Sequence, residues 1–259
     1  MFETFEVERV GALTRIWLNR PERRNAVNNT MLRELGDFFL ALETDFDTRV
    51  VVLGGRGQSF CSGADRKPPA PSDAPPRART DREIRWEGQL GRRATRAIEA
   101  CDAVTIARVH GHAIGGGACF ALSCDFRIAA RDAVFRVPEV DLGMPLSWAG
   151  VPRLIHEIGA ARTREVVLMC DDVDATTAAS WGMVHRVVDA DELDAEVDRW
   201  VERMLAKPEL ALFMVKTTLR SYAQHAALGD ASETDGDLIA VAARSASAAG
   251  RFAMTGKKP

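Results

Sequence analysis

The sequence predicts an α/β fold, on three observations. Alternating apolar residues, a helical repeat and a β-branched run follow one another between Phe2 and Gly55. A unit of strand, glycine loop and helix occurs twice, after Leu53 and after Val109. Beyond Glu139 the pattern turns mainly helical. The 259 residues are 46% hydrophobic and 27% charged, which supplies one large core or two modest ones and excludes disordered, fibrous and small disulfide-bonded classes.

Each element has its own reason. Phe2, Phe5, Val7 and Val10 lead to Gly11, and Leu13, Ile16 and Leu18 run on to Asn19-Arg20-Pro21, the pattern of two strands joined by a glycine turn. From Asn28 towards Asp45, Met31, Leu32, Leu35, Phe38, Phe39 and Leu42 recur at helical spacing behind capping residues. Val50-Val51-Val52-Leu53 ends in Gly54-Gly55 and reads as a buried strand opening into a loop. The stretch 66–80 holds five of the eleven prolines and no large apolar residue, so it cannot bury a face and is read as a surface loop. A helix is expected over 81–100, a strand over Val104–Val109, and a helix start at Ala118–Leu122 behind Gly111 and Gly115-Gly116-Gly117. Strands are expected at Phe126–Ala129, Ala133–Val137 and 184–188, and helices near 148–158, 161–169, 175–180, 190–206 and 208–225.

Charge and cysteine usage narrow the partners. A net charge of −3 leaves no basic surplus for nucleic acid or an anionic membrane surface. Five cysteines without a CxxC pair indicate neither a disulfide framework nor a metal site. The opening MFETFEVERV is acidic where a leader would be basic, and no apolar run is long enough to span a bilayer, so a cytoplasmic protein is expected.

A glycine cluster between strand and helix exposes backbone N–H groups to an anion or oxyanion. The dinucleotide fingerprint fails, because its third small residue falls on Phe120, and no GK[ST] supports a phosphate-binding P-loop. The loops FCSGAD (60–65) and HAIGGGA (112–118) can instead each give one N–H to the same oxygen. Such donors stabilise a developing oxyanion by roughly 3–4 kcal/mol each.

Several runs together resemble the enoyl-CoA hydratase/isomerase (crotonase) superfamily. They are Ser59-Phe60-Cys61-Ser62-Gly63-Ala64-Asp65, Val109 to Gly117 followed by Cys124-Asp125, and Pro138-Glu139 with Leu142-Gly143. Asn19-Arg20-Pro21 with Arg24-Asn25-Ala26, and Ala179 with Trp181-Gly182-Met183-Val184, extend the resemblance from the region of Phe5 to the end of the chain. The resemblance implies a crotonase-like spiral of ββα repeats over 1–200 and a C-terminal helical trimerisation region over 201–259. It also implies an acyl-CoA thioester as ligand, coenzyme A being present only as part of the substrate, and a homotrimer or dimer of trimers.

By similarity, the N–H groups of Ala64 and Gly116 form the oxyanion hole. Ser62, Asp65, Arg66 and Lys67 belong to the loop lining the acyl and pantetheine channel, Arg24 flanks the CoA, and Lys257 reaches the CoA of a neighbouring subunit. Hydratases of the superfamily place a glutamate three residues after the second oxyanion glycine and another later in the chain. Here the later one is Glu139 and the earlier position, on the acyl pocket, is Cys119. A thiol with pKa of about 8.5 is a poor substitute for a carboxylate that must hold water. Dienoyl-CoA isomerases carry an acid eight positions after the retained glutamate, where this chain has Ser147. Ser147 and Trp148 are read at the acyl end of the pocket.

The expected activity is therefore a Δ3,Δ2-enoyl-CoA isomerase-type proton shift by Glu139 alone. The alternatives are an enoyl-CoA hydratase that holds water differently, with help from Asp141, and a non-catalytic acyl-CoA binder. His110 and His112 are read as residues placed by packing, and Asp125 as one that orders its loop.

Overall fold

The computed structural model describes residues 2–66 and 79–226, so Lys67, Lys257, most of the proline-rich stretch and the chain beyond 226 lie outside it. β1 (Phe5–Val10) and β2 (Leu13–Leu18) form the expected hairpin, with Phe5 opposite Leu18 and Gly11 in the turn at φ 56°. Asn28 caps α1 (Asn29–Ala41), its side chain accepting from the Met31 N–H. This satisfies one of the orphan donors of the first turn.

β3 (Val50–Gly55) and β4 (Val104–Val109) continue the sheet in parallel, followed by β6 (Phe126–Ala130) and β9 (Arg186–Val188), in the order β1-β2-β3-β4-β6-β9. β3 is buried on both faces. Val51 and Leu53 join the main core beneath α1 and α3 (Leu90–Ala100), whereas Val50 and Val52 pack in a second core beneath α7 (Leu193–Leu205). A strand covered on both sides reads as a continuous β-branched run, which is why Val50–Leu53 shows no alternation.

After each long strand the chain doubles back through a turn and adds a short stretch to a second layer. β5 (His112–Ile114) follows β4, and β7 (Val134–Arg136) follows β6 and pairs with β5 and with β8 (Val173–Asp174). Cys61, after β3, bridges Ala113, and Val27, after β2, bridges Ala64. The second layer therefore gathers the ends of successive turns side by side, which brings the two glycine loops together.

The expected helix over 81–100 is broken into α2 (Asp81–Gly88) and α3, with Gln89 between them. α4 (Gly116–Ser123) is buried along its whole length. The two helices expected near 148–158 and 161–169 follow one another within α5 (Gly150–Met169), separated by a kink at Gly159 with φ 74° and ψ 164°. α6 (Ala175–Ser180) and α8 (Glu209–Ala226) complete the described chain. α8 is pinned to the core by Lys216, whose Nζ donates to Ala103 O at 2.6 Å and pairs with Asp125 at 2.7 Å. Asp125 also accepts from the Thr105 N–H and hydroxyl, the ordering role expected of it. Among the described residues no helix is long and apolar enough to cross a membrane, and no cluster of side chains could hold a metal ion.

Candidate active site

The first loop is held by the segment just after β2. Asn25 is fully buried, with a left-handed backbone at φ 55°. Asparagine tolerates that conformation better than most residues. Its Nδ2 donates to Arg56 O at 2.9 Å and Ser59 O at 2.8 Å, and its Oδ1 accepts from Arg20 N at 2.9 Å. The Ser62 N–H donates to Arg24 O at 3.0 Å. Replacing the Asn25 amide by a carboxylate turns acceptors towards two carbonyls, so Asn25→Asp is expected to cost about 3 kcal/mol or more. Urea unfolding should place this variant below Asn25→Ala.

The second loop lies directly against the first. Cys61 N–H donates to His112 O at 2.8 Å and Ile114 N–H to Cys61 O at 3.0 Å. Gly63, at φ 83°, comes so close that a Cβ on it would stand 2.7 Å from Ile114 O and 3.8 Å from Gly116 N. Val27 N–H donates to Gly63 O and Asp65 N–H to Val27 O, on either side of Ala64. Alternation along an extended chain turns the Ala64 N–H to the other side, away from Val27. Gly116 opens α4, so its N–H belongs to the first helical turn, which has no intrahelical acceptor.

Glu139 reaches this point from the second layer. Ile114 is in register with Arg136, and the Gly115 N–H donates to Arg136 O at 2.8 Å, so the chain leaving β7 passes Gly115. A Cβ on Gly115 would lie 2.6 Å from Glu139 Oε1. Oε2 is buried without a hydrogen-bond partner among the described residues. Burial pushes the Glu139 carboxyl from 4.5 up to about 7, against a small opposing contribution from its own backbone N–H.

The other site residues are placed as follows. Cys119 is buried, with its Sγ 3.8 Å from Ser147 O, and a Cβ on Gly150 would meet the sulfur at 3.0 Å. The thiol faces the Leu146–Gly150 segment. Asp65 pairs with Arg20 at 2.8 Å and Arg23 at 3.6 Å, while Arg24 and Arg66 are exposed. Asp141 pairs with Arg136 at 3.2 Å. Arg108 Nη1 and His110 Nδ1 lie 3.0 Å apart and His110 Nε2 lies 2.9 Å from Gly57 O, while burial holds the His110 pKa below its ordinary value. Both His110 ring nitrogens are engaged, so packing accounts for that histidine, whereas His112 is exposed and held by the contact of its Nδ1 with Ser59 Oγ at 3.1 Å rather than by packing. A cleft of about 340 Å³ under α8, lined by Leu122, Phe126, Met204 and Leu219, contains none of these residues.

Two features escaped the sequence reading. Asn25 stood inside a recognised motif, yet nothing local shows that its amide ties down the first glycine loop. The sequence places Trp148 at the acyl end of the pocket, but not that it and Ala149 both adopt left-handed conformations, at φ 59° and 57°, in a turn that sets the Trp148 ring beside Gly116. Neither left-handed position is a glycine, so the residue types do not announce the conformation.

Known proteins resemble this chain in sequence and fold. The chain is 35% identical over 216 residues to the "Crotonyl-CoA hydratase" of Syntrophomonas wolfei, covering 83% of this chain and 80% of that protein. A crystal structure of a monofunctional enoyl CoA isomerase from M. smegmatis superposes with a TM-score of 0.72 at 31% identity, over 87% of this chain and 96% of that one. An enoyl-CoA hydratase from Mycobacterium avium subsp. paratuberculosis matches the fold at a TM-score of 0.87 and 24% identity, over 99% and 96% of the two chains. The sequence profile described as enoyl-CoA hydratase/isomerase matches residues 8–255. With both glycine loops side by side and Glu139 against the second, the chain belongs to the enoyl-CoA hydratase/isomerase family.

Proposed function

We propose that this protein catalyses a 1,3-proton shift in a 3-enoyl-CoA thioester, with Glu139 as the single acid–base residue. The carboxylate removes a proton from C2, the N–H groups of Ala64 and Gly116 hold the dienolate oxygen, and the same carboxyl returns the proton to C4. A carboxyl with a pKa near 7 suits both steps at neutral pH, because it is a stronger base than a solvated glutamate and still ionises. The observation that carries this reading is the contrast between Glu139 and Cys119. Glu139 lies against Gly115 with a buried, unpartnered oxygen, whereas the position that would carry a second carboxylate is a buried thiol facing Ser147 O. Asp141 pairs with Arg136 at 3.2 Å with its side chain exposed, a setting that favours a surface ion pair over a role in holding water.

Hydration of a 2-enoyl-CoA is the second reading, favoured by the activity for which the Syntrophomonas wolfei relative is named. It asks for a second group to hold the water. The test is incubation of purified protein with a 3-enoyl-CoA while conjugation is followed by ultraviolet absorbance. Formation of the 2-enoyl product well above a Glu139→Gln control is expected. No difference from that control overturns the proposal, and calorimetric binding of the thioester without turnover would identify a non-catalytic binder.

A further inference from the structure

The indole of Trp148 is wedged between the first turns of α3 and α4. A Cβ on Gly116 would fall 2.3 Å from its Cζ3 and 2.6 Å from Cη2, and a Cβ on Gly91 would fall 1.9 Å from Cε2 and 2.0 Å from Nε1. The ring therefore occupies the space that side chains at both positions would fill. Glycine within a helix costs about 1 kcal/mol relative to alanine, so Gly91 has a packing reason to be there. The wedge is also fixed. Trp148 O accepts from Thr95 Oγ1 at 3.0 Å and from Arg153 Nη1 at 2.7 Å, and Phe120 packs against the indole with ring centroids 5.8 Å apart. Arg153 is itself buried and paired with Glu99 at 2.7 Å. Trp148 keeps part of its surface exposed, so it forms a wall rather than a piece of sealed core.

Glu139 stands against Gly115 and Trp148 against Gly116, on adjacent residues of one loop. We infer that Trp148 is the end wall of the acyl channel and restricts this protein to short-chain acyl groups. The inference rests on the proposed binding of an acyl-CoA thioester at Ala64 and Gly116. Given that placement, the acyl carbons beyond the carbonyl run between the Glu139 carboxyl and the indole. With the Trp148 main chain held at its carbonyl and the ring packed against Phe120 and closed in at Gly91 and Gly116, the indole has little room to swing aside for a longer chain, so the limit should be sharp.

Saturated acyl-CoAs from acetyl to dodecanoyl provide the test, because they bind without reacting and so separate this inference from the isomerase chemistry. Isothermal titration of the intact protein is expected to show affinity rising over the shortest chains and then levelling or falling. In Trp148→Ala and in Trp148→Leu, which retains more of the packing, affinity should continue to rise by roughly fourfold per added methylene. A rise through the whole series in the wild type, or variants that keep the wild-type profile, overturns the wall. Failure of every thioester to bind overturns the ligand assignment and the wall with it. Gly91→Ala gives a second readout by thermal unfolding: it should destabilise the wild type strongly and Trp148→Ala far less, and equal losses in the two backgrounds would contradict the wedge.

Discussion

Replacing Glu139 by glutamine is expected to lower kcat for 3-enoyl-CoA conjugation by roughly 10²–10⁴-fold, the contribution of a positioned acid–base group. The amide keeps the shape of the side chain and removes its ability to carry a proton. In the wild type, kcat/KM should rise with pH through about 7 and level off above it, because the free enzyme needs the ionised carboxylate. The same substitution should stabilise the fold in alkaline solution. Glu139 holds its proton up to about pH 7 when folded but only to its ordinary 4.5 when unfolded, so the folded state binds the extra proton between those values. Stability is then fully present below about 4.5, declines as pH rises, and above 7 carries a cost on the order of 3 kcal/mol. Glu139→Gln should lose that pH-dependent decline. Urea denaturation at pH 5 and pH 8 checks the sign: the variant should gain on the wild type much more at pH 8 than at pH 5.

Gly115→Ala is expected to damage both the fold and the reaction. Gly115 has φ 51° and ψ −113°, a backbone region closed to residues with a Cβ, at a cost of roughly 1–3 kcal/mol. The added methyl would also meet Glu139 Oε1 at 2.6 Å and push the carboxyl from its place. Misplacement of a reacting group by about 1 Å can cost 10²-fold in rate, so kcat should fall by about that factor or more. Gly11→Ala is the control, since Gly11 has φ 56° in the hairpin turn with nothing within 4 Å of its added Cβ. It should lower the thermal midpoint and leave kcat unchanged. Equal kinetic effects at the two glycines would separate Glu139 from the Gly115 contact.

Much of this architecture is written locally. The β1–β2 hairpin announces itself by alternation around Gly11, and β4 is legible to its last residue because a run rich in β-branched residues stops at Val109, two residues before Gly111. β5 and β8, of three and two residues, are too short for any period to appear. The break at Gln89 does not interrupt the apolar repeat that runs from Ile84 to Ile98, so α2 and α3 read as one helix. In the site, the glycine loops are legible because the role proposed for them lies in the backbone. What Glu139 does depends on burial by distant segments, and the raised carboxyl pKa arises from that burial. Trp148 is the clearest case of the same limit: its neighbours Gly91 and Gly116 come from two other helices, and only the fold reveals that one ring explains both glycines.

The single-carboxylate site is tested most directly by giving the same enzyme preparation a 3-enoyl-CoA and the corresponding 2-enoyl-CoA, and comparing kcat/KM for conjugation with that for addition of water. Conjugation should exceed hydration by at least about 10²-fold, since one carboxyl completes the proton shift but lacks the partner that general-base activation of a water would require. Hydration equal to or faster than conjugation, abolished in Glu139→Gln, would contradict the account and show that a second group holds the water.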